Sequence, residues 1–164
     1  MAMPNWKKLA AGGASASVIL AALTFFFEGN YLTPYRDPGP AATWTNCEGN
    51  THNVDPMKVM TAQECQVING ENQLSAMDAL NKYVHVTITE AERGAYSDFI
   101  FNMGSSRFVH STMLTYLNEG KHKEACAQLL RWTYAGGKQL PGLIKRREAE
   151  YEICMEGVTN GTSR

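Results

Sequence analysis

The 164-residue sequence predicts an α+β protein with an apolar N-terminal helix, a small β-hairpin lobe and a larger helical lobe. Three observations support this prediction. Residues 9–27 contain no charged side chain. Residues 30–51 are rich in β-forming residues on either side of a proline–glycine turn. From Asp55 onward, helix-capping motifs are combined with apolar residues at helical spacing.

The composition is that of a globular protein, with 44% hydrophobic residues, 19% charged residues and a formal net charge of −1. A chain of this length can form one domain with a hydrophobic core. Its charges are mixed along the sequence, without the basic patch that is typical of nucleic-acid-binding proteins. We therefore expect no nucleic-acid partner, and the sequence gives no indication of a cofactor or an obligate protein partner.

The apolar segment LAAGGASASVILAALTFFF, residues 9–27, follows Lys7 and Lys8. Its nineteen residues would span roughly 28 Å as a helix, which nearly matches the hydrocarbon core of a bilayer. Lysines before such a segment keep that end in the cytoplasm, so the rest of the chain is expected in the periplasm. We predict a signal-anchor segment over residues 1–27, which contacts the inner membrane through residues 9–27.

This anchor is weak, because eleven of its nineteen residues are Ala, Gly, Ser or Thr. Three interpretations therefore stay open: a cleaved signal peptide, a permanent anchor, and an anchor that leaves the membrane. Cleavage would use the weak signal Ala14-Ser15-Ala16, which lies before the most apolar part of the segment. Insertion without cleavage is favoured.

The region after the apolar segment is expected to form a hairpin. Residues 30–36 supply the first strand, and Asp37-Pro38-Gly39-Pro40 is a turn signature. Residues 42–51 then form an extended segment that ends near Gly49.

The helical region begins with a capping box, Thr61 with Glu64. This helix is predicted to run toward Val84, with a break near Asn69-Gly70. Thr89 opens the next helix, which extends through Met103. Further helices are predicted over residues 111–118, 124–132 and 141–155, with Gly136-Gly137 breaking the chain before the last one.

Four cysteines follow the export-like N-terminus: Cys47, Cys65, Cys126 and Cys154. An even number in this context predicts two disulfide bonds. Their wide spacing, without a C-x-x-C pair, argues against a zinc site. Of the three possible pairings we favour the sequence-local one, Cys47–Cys65 with Cys126–Cys154, in which each bond would stabilise the fold by roughly 3 kcal/mol.

Two carboxyl groups in different environments are what an enzyme needs to cleave a glycosidic bond. Glu28 directly follows three phenylalanines, and an apolar setting favours the protonated form that acts as an acid. Asp37 lies in a polar turn beside Arg36, where the ionised form is favoured. Thr45 on the following strand carries a hydroxyl that can orient a water molecule.

The segments EGNYLTPYRD (28–37) and WTNCEGNT (44–51) resemble the active-site region of phage-type lysozymes, glycoside hydrolase family 24. The resemblance is greatest to the signal-anchor-release endolysins. Its pattern is Glu-Gly, an aspartate nine residues after the glutamate, and a Trp-Thr-x-Cys-x-Gly strand. Further collinear matches are TAQEC (61–65), FIFNMGSSRF (99–108), STMLTYLN (111–118), RWTYAGGKQLPGL (131–143) and RREAEYEIC (146–154).

The resemblance implies a lysozyme-like catalytic domain over residues 28–164, with a small lobe at about 28–60 and a helical lobe at about 61–164. In such a domain Glu28 would be the general acid, and Asp37 with Thr45 would activate and hold the attacking water. The usual gap from the aspartate to the threonine is shorter than the eight positions found here, so Thr43 is an alternative. Inversion of configuration is implied as well.

The resemblance also implies ligands along the cleft. Asn102 is expected to bind the sugar, and Phe101 is expected either to bind it or to pack in the core. Trp132 is interpreted as a core residue, and residues 145–147 as a solvated helix face, although relatives place one cation near the catalytic glutamate. Where relatives often carry histidine, this sequence has Glu48 and Asn50, with His52 close by.

The function implied is that of an endolysin, a muramidase that hydrolyses the β-1,4 bond between N-acetylmuramic acid and N-acetylglucosamine in bacterial peptidoglycan. Lysis of the host would then release phage progeny. Two alternatives stay open: a catalytically silent peptidoglycan-binding or structural periplasmic protein, and a lytic transglycosylase. The intact set of Glu28, Asp37 and Thr45 argues against the first, and Asp37 with Thr45 argues against the second.

An acid placed at the end of a weak anchor suggests control by membrane exit. While residues 9–27 lie in the bilayer, Glu28 stays at the membrane boundary and cannot face Asp37. No cysteine precedes Cys47, so thiol exchange from the anchor is excluded as the means of control.

Overall fold

The computed structural model describes residues 2–37 and 41–161. Its small lobe is the predicted hairpin, in which β1 (Tyr31–Arg36) pairs antiparallel with β2 (Trp44–Cys47). Tyr35 lies opposite Thr45 in this ladder, with a register irregularity between Tyr31 and Tyr35. The predicted turn at residues 38–40 lies outside the described residues.

The rest of the described chain is mainly helical. The helices are α1 (Trp6–Ala11), α2 (Ala16–Glu28), α3 (Ala62–Tyr83), α4 (Glu90–Met103), α5 (Ser105–Val109), α6 (Thr112–Asn118), α7 (His122–Gln128) and α8 (Pro141–Gly161). A 3-10 turn (Leu129–Arg131) follows α7, and a second, two-residue hairpin joins β3 (Tyr134–Ala135) to β4 (Lys138–Gln139). The α+β prediction is confirmed.

The apolar N-terminal segment is divided between two helices, which is a difference from the single helix expected over residues 9–27. Gly13 has a φ of 76°, and Ser15 caps α2 by accepting a hydrogen bond from the Val18 amide. Within the described residues, no helix combines the length and the apolar character that a membrane crossing requires. In this structure α2 is instead part of the core of the helical lobe.

The contact between α2 and α4 is close. Ile19, Leu20 and Leu23 are fully buried. A Cβ added at Gly94 on α4 would lie 2.6 Å from Cγ2 of Ile19, so this position accepts only glycine without movement of α2. The absence of a side chain at Gly94 therefore allows α2 and α4 to pack closely.

Both predicted capping boxes are present, at Thr61 and at Thr89. The break expected near Asn69-Gly70 is wrong, because α3 is continuous through both residues. One glycine costs a helix only about 1 kcal/mol. Here Asn69 offsets that cost, since it is buried and its Oδ1 accepts a hydrogen bond from the Glu48 amide in the small lobe.

The two disulfides are Cys47–Cys65 and Cys126–Cys154, as predicted. The first connects the end of β2 to the first turn of α3. The second connects α7 to α8 within the main core. Together they fix the small lobe and the C-terminal helix to the rest of the helical lobe.

Candidate active site

Glu28 is the last residue of α2, and its side chain lies at the junction of the two lobes. Gly29, with a φ of 68°, ends the helix in a conformation that favours glycine and turns the chain into β1. The Glu28 side chain is 21% exposed, and its Oε1 contacts Nη1 of Arg146. A carboxyl group is thus held at the cleft by a helix end on one side and a cation on the other.

Asp37 directly follows β1, and the hairpin brings it to the side of the molecule that carries Glu28. Its amide donates a hydrogen bond of 2.9 Å to the carbonyl of Thr43. Tyr35 interacts with the charges of both carboxylates. Burial raises the pKa of its phenol, and the charges of Glu28 and Asp37 raise it further. Both acids are therefore close enough to act on the same ring.

Thr45 is buried, with 3% of its surface exposed, whereas Thr43 is exposed. Residues opposite each other in an antiparallel ladder have side chains on the same face, so Thr45 shares a face with Tyr35. Its hydroxyl donates to the carbonyl of Thr43 at 3.3 Å. Thr45 thus lies on the same face of the hairpin as Tyr35, and the choice between the two threonines stays a prediction.

Gly49 brings the backbone of the small lobe against Glu28. Its φ is +73°, and a Cβ placed there would lie 2.8 Å from Oε2 of Glu28. Cys47 is also left-handed, and Asn46 and Asn50 form a β-bridge across this tight turn. The glycine of the Trp-Thr-x-Cys-x-Gly motif is therefore required both for the turn and for the approach to the acid.

A groove of about 360 Å³ runs between this turn, α3 and the end of α4. Gly49, His52, Asn72 and Phe101 are among the residues that line it. Phe101 also packs against the main core, so both of its expected roles agree with its position. Gly49 lies against Glu28 and also lines this groove, so the groove extends close to Glu28.

Asn50 and Glu48, which stand where relatives often carry histidine, have local partners. Asn50 is buried, and its Nδ2 donates to Oδ1 of Asn46 at 2.9 Å. Burial raises the pKa of Glu48, the Thr24 hydroxyl opposes this shift, and the charge of Glu28 adds to it. Asn50 therefore stabilises the turn through its hydrogen bonds, while Glu48 is a further carboxyl group near Glu28.

Arg146 and Arg147 correct the prediction of a solvated helix face at residues 145–147. Only Lys145 is exposed, whereas Arg146 and Arg147 are buried. Buried cations need carboxylate partners, and Asp98 on α4 and Glu150 on α8 supply them. The cation that contacts Glu28 is Arg146.

Asn102, expected to bind sugar, contacts Arg147 in this structure. Its Oδ1 accepts a hydrogen bond from Nη2 of Arg147, and Arg147 Nη1 donates to Oε2 of Glu150 at 2.8 Å. The Asn102 side chain is thus tied to the buried charges behind the cleft, and its role as a sugar ligand stays a prediction. Trp132 packs edge-on against Phe99 and borders the core, as expected.

Sequence analysis did not identify Asp98 and Glu150 as site residues, although a sequence pattern indicates each of them. Asp98 is the one charged residue in the apolar run AYSDFIF, which ends at Phe101. Glu150 lies four positions after Arg146 and three after Arg147, a spacing that places oppositely charged side chains next to each other on a helix.

The hairpin lobe, the helical lobe and the groove between them form a lysozyme-like fold, and comparison with known proteins assigns the class. The family model described as phage lysozyme matches residues 26–150, and the chain belongs to this family.

The relatives agree with this assignment. The chain is 41% identical over 131 residues to the SAR-endolysin of Enterobacteria phage P21, covering 79% of this chain and 78% of that protein. It is 40% identical over 131 residues to the SAR-endolysin of Bacteriophage PS119, covering 79% and 77%.

Solved structures show the same fold. The active form of the P1 phage endolysin Lyz aligns with a TM-score of 0.78 at 25% identity, covering 94% of each chain. The muramidase domain of SpmX from Asticaccaulis excentricus aligns with a TM-score of 0.75 at 27% identity, covering 87% of this chain and 97% of that one. The secreted inactive form of the P1 endolysin gives a TM-score of only 0.58 at 18% identity, covering 97% and 99%.

Proposed function

We propose that this protein is a phage endolysin that hydrolyses the β-1,4 glycosidic bond between N-acetylmuramic acid and N-acetylglucosamine in bacterial peptidoglycan. The single observation that carries the proposal is the position of Glu28, which ends α2 next to Gly49, a residue that lines the groove, and precedes the hairpin that bears Asp37. Membership of the phage lysozyme family supports the reaction class, and the endolysin relatives support a role in host lysis.

In this mechanism Glu28 donates a proton to the glycosidic oxygen as the bond to the leaving sugar breaks. Asp37, in its exposed position, removes a proton from the attacking water. The Thr45 hydroxyl holds that water. Attack on the face opposite the leaving group inverts the anomeric configuration.

Glu28→Gln tests the proposal, because glutamine keeps the shape of the side chain but cannot donate the proton. We expect peptidoglycan hydrolysis to fall at least about 100-fold, the contribution of a well-placed general acid. Glu71→Gln on the exposed side of α3 removes the same charge away from the groove and should leave activity unchanged. Parent-like activity of Glu28→Gln would refute the assignment.

Mass analysis of the fragments separates the alternatives. Hydrolysis yields a reducing N-acetylmuramic acid that carries one added water, whereas a transglycosylase yields the anhydro sugar. A parent protein that binds peptidoglycan but releases no fragments would be a binding or structural protein instead.

We further propose that the protein is first tethered to the inner membrane through residues 9–27, with its N-terminus in the cytoplasm, and reaches the periplasm on release. The uncharged sequence of this segment and the SAR-endolysin names of the relatives support the tether. The higher TM-score to the active form of the P1 endolysin supports the released state as the one described here.

Ser17→Leu with Ala21→Leu tests the tether, since both positions are exposed on α2 and the folded enzyme can accept larger side chains there. The leucines make the segment more favourable in lipid, so we expect more protein in the membrane fraction and delayed lysis. Ala127→Leu, at an exposed position of α7, is the matched control and should not change fractionation. Unchanged release of the double variant would contradict the proposal.

A further inference from the structure

The buried charges behind Glu28 connect α8 to α4. Asp98 is fully buried and accepts two hydrogen bonds from Arg146, one from Nε and one from Nη2, each of 2.8 Å. The remaining nitrogen of the same guanidinium, Nη1, contacts Oε1 of Glu28. The guanidinium is planar and rigid, so fixing two of its nitrogens fixes the direction of the third.

We propose that Asp98 is a positioning residue for the glycosidase reaction: it holds Arg146 in the orientation that presents Nη1 to Glu28, and it compensates the Arg146 charge so that Glu28 can carry a proton. This inference rests on the proposed role of Glu28 as the general acid. Asp98 acts only through Arg146, because its side chain is fully buried and does not line the groove.

The charge of Asp98 matters as much as its geometry. Burial opposes ionisation of Asp98, but the charge and hydrogen bonds of Arg146 prevail and hold its pKa below the usual range. A neutral side chain at this position would leave the whole Arg146 charge to act on Glu28. An uncompensated cation favours the ionised carboxylate, which has no proton to donate.

Glu150 completes the cluster with a second buried carboxyl group. Burial raises its pKa well above the usual value, and its carboxyl group faces that of Asp98. Oε2 of Glu150 accepts a hydrogen bond of 2.8 Å from Nη1 of Arg147, and its Oε1 lies 3.8 Å from Nε of Arg146. Glu150 is therefore close to both arginines, whereas Asp98 is the carboxyl group that forms two hydrogen bonds with Arg146.

The titratable or charged groups that surround Glu28 come from several elements. They are Arg146, Arg147 and Glu150 on α8, Asp98 on α4, Tyr35 and Asp37 in the hairpin, and Glu48 in the turn after β2. Asp98 is the member of this set that carries a full negative charge and forms two hydrogen bonds to the cation in contact with Glu28.

Asp98→Asn is the direct test, because asparagine has the same size and can still accept one hydrogen bond from Arg146. We expect the alkaline limb of the kcat profile on purified peptidoglycan to move down by about one pH unit, so that kcat above that limb falls about tenfold. The apparent KM should stay within about twofold, since Asp98 does not touch the substrate. Glu148→Gln, which removes a charge from an exposed site on α8, is the matched control and should not move the limb.

A double-mutant cycle with Arg146→Gln distinguishes positioning from general destabilisation. If Asp98 acts through Arg146, then Asp98→Asn adds no further change in kcat or in the alkaline limb once Arg146 is replaced. The double variant lacks both Arg146 and the Asp98 charge, so neither of these two charges is left buried without the other. Comparison of the double variant with Arg146→Gln therefore tests the coupling even if near-UV circular dichroism shows that Asp98→Asn alone is unfolded.

A parent-like kcat and alkaline limb for Asp98→Asn, or an undiminished effect in the Arg146→Gln background, would overturn the inference. Glu28→Gln separates this failure from failure of the proposed function. An inactive Glu28→Gln beside an unaffected Asp98→Asn removes only the role of Asp98, whereas an active Glu28→Gln removes the general acid itself.

Discussion

Replacement of Gly49 by alanine isolates the close contact between the small lobe and the catalytic carboxyl group. The added Cβ would lie 2.8 Å from Oε2 and 3.0 Å from Cδ of Glu28. Restoring an ordinary contact requires a displacement of about 0.6 Å or more between the turn and the carboxyl group. A misplacement of 1 Å at a catalytic group costs about 100-fold in rate, so we expect kcat to fall roughly 10- to 100-fold.

The same substitution also strains the backbone, because alanine in the left-handed region costs roughly 1–2 kcal/mol. Gly120→Ala is the matched control: its φ is +74°, nearly that of Gly49, but an added Cβ meets no atom within 4 Å. Both variants should lose similar stability in urea denaturation. Only Gly49→Ala should lose activity in a turbidity assay at a temperature where both are folded.

Two outcomes would refute this reasoning. If Gly49→Ala keeps the parent rate, the contact with Glu28 does not set its position. If Gly120→Ala loses as much activity as Gly49→Ala, backbone strain explains the loss and the contact does not.

Three further predictions follow from the site and its surroundings. Thr45→Val should abolish most peptidoglycan hydrolysis while Thr43→Val should not, and a reversed result in the same turbidity assay would assign the water to Thr43. Glu150→Gln should raise Tm at pH 8 by roughly 3 °C, or about 1 kcal/mol, and leave Tm unchanged near pH 4. The sign follows because burial raises the pKa of Glu150 in the folded state above its unfolded value, so the contribution of this carboxyl group to stability falls as the pH rises above about 4.3; a variant less stable at pH 8 would contradict it. Replacing both Cys126 and Cys154 by alanine should lower the free energy of unfolding by about 3 kcal/mol, measured by denaturant titration, and an unchanged midpoint would exclude a role of that bond in stability.

The fold could be predicted where the signals are local. The capping boxes at Thr61 and Thr89 satisfy amide groups of their own first turn, and both helices begin where these motifs predict. The break expected at Gly70 shows the limit of such signals. What keeps α3 continuous is a contact from Asn69 to the Glu48 amide, 21 residues earlier in the chain, which no local pattern contains.

The site could be predicted in part for the same reason. The motif gave Glu28 and the hairpin, but a run of three basic residues looks solvated when it is considered by itself. Arg146 is buried because Asp98, 48 residues earlier, is buried with it. The sequence shows each charge separately, and only the packing of α8 on α4 shows that they compensate each other.

The packing of α2 also explains how a membrane tether could control the catalytic acid. Ile19, Leu20 and Leu23 are fully buried in the described fold, and Glu28 follows Leu23 by five residues, or about 7.5 Å of helix. Glu28 therefore reaches Arg146 only when these side chains pack on α4. In the proposed tethered state the same side chains would face lipid, so the core and the bilayer compete for one set of apolar residues.

The balance between the two states depends on residues whose burial differs between the protein core and lipid. Burial of each large apolar side chain in the core contributes about 1.5–3 kcal/mol, but lipid offers Ile19, Leu20 and Leu23 a similar gain. Val18 and Phe25 are 52% and 55% exposed in the described fold, so they would be fully buried only in lipid and favour the tether. The small and polar residues of the segment gain little from lipid, which keeps the balance close. In the proposed activation, transfer of α2 from lipid to α4 would therefore carry Glu28 into contact with Arg146 and Gly49.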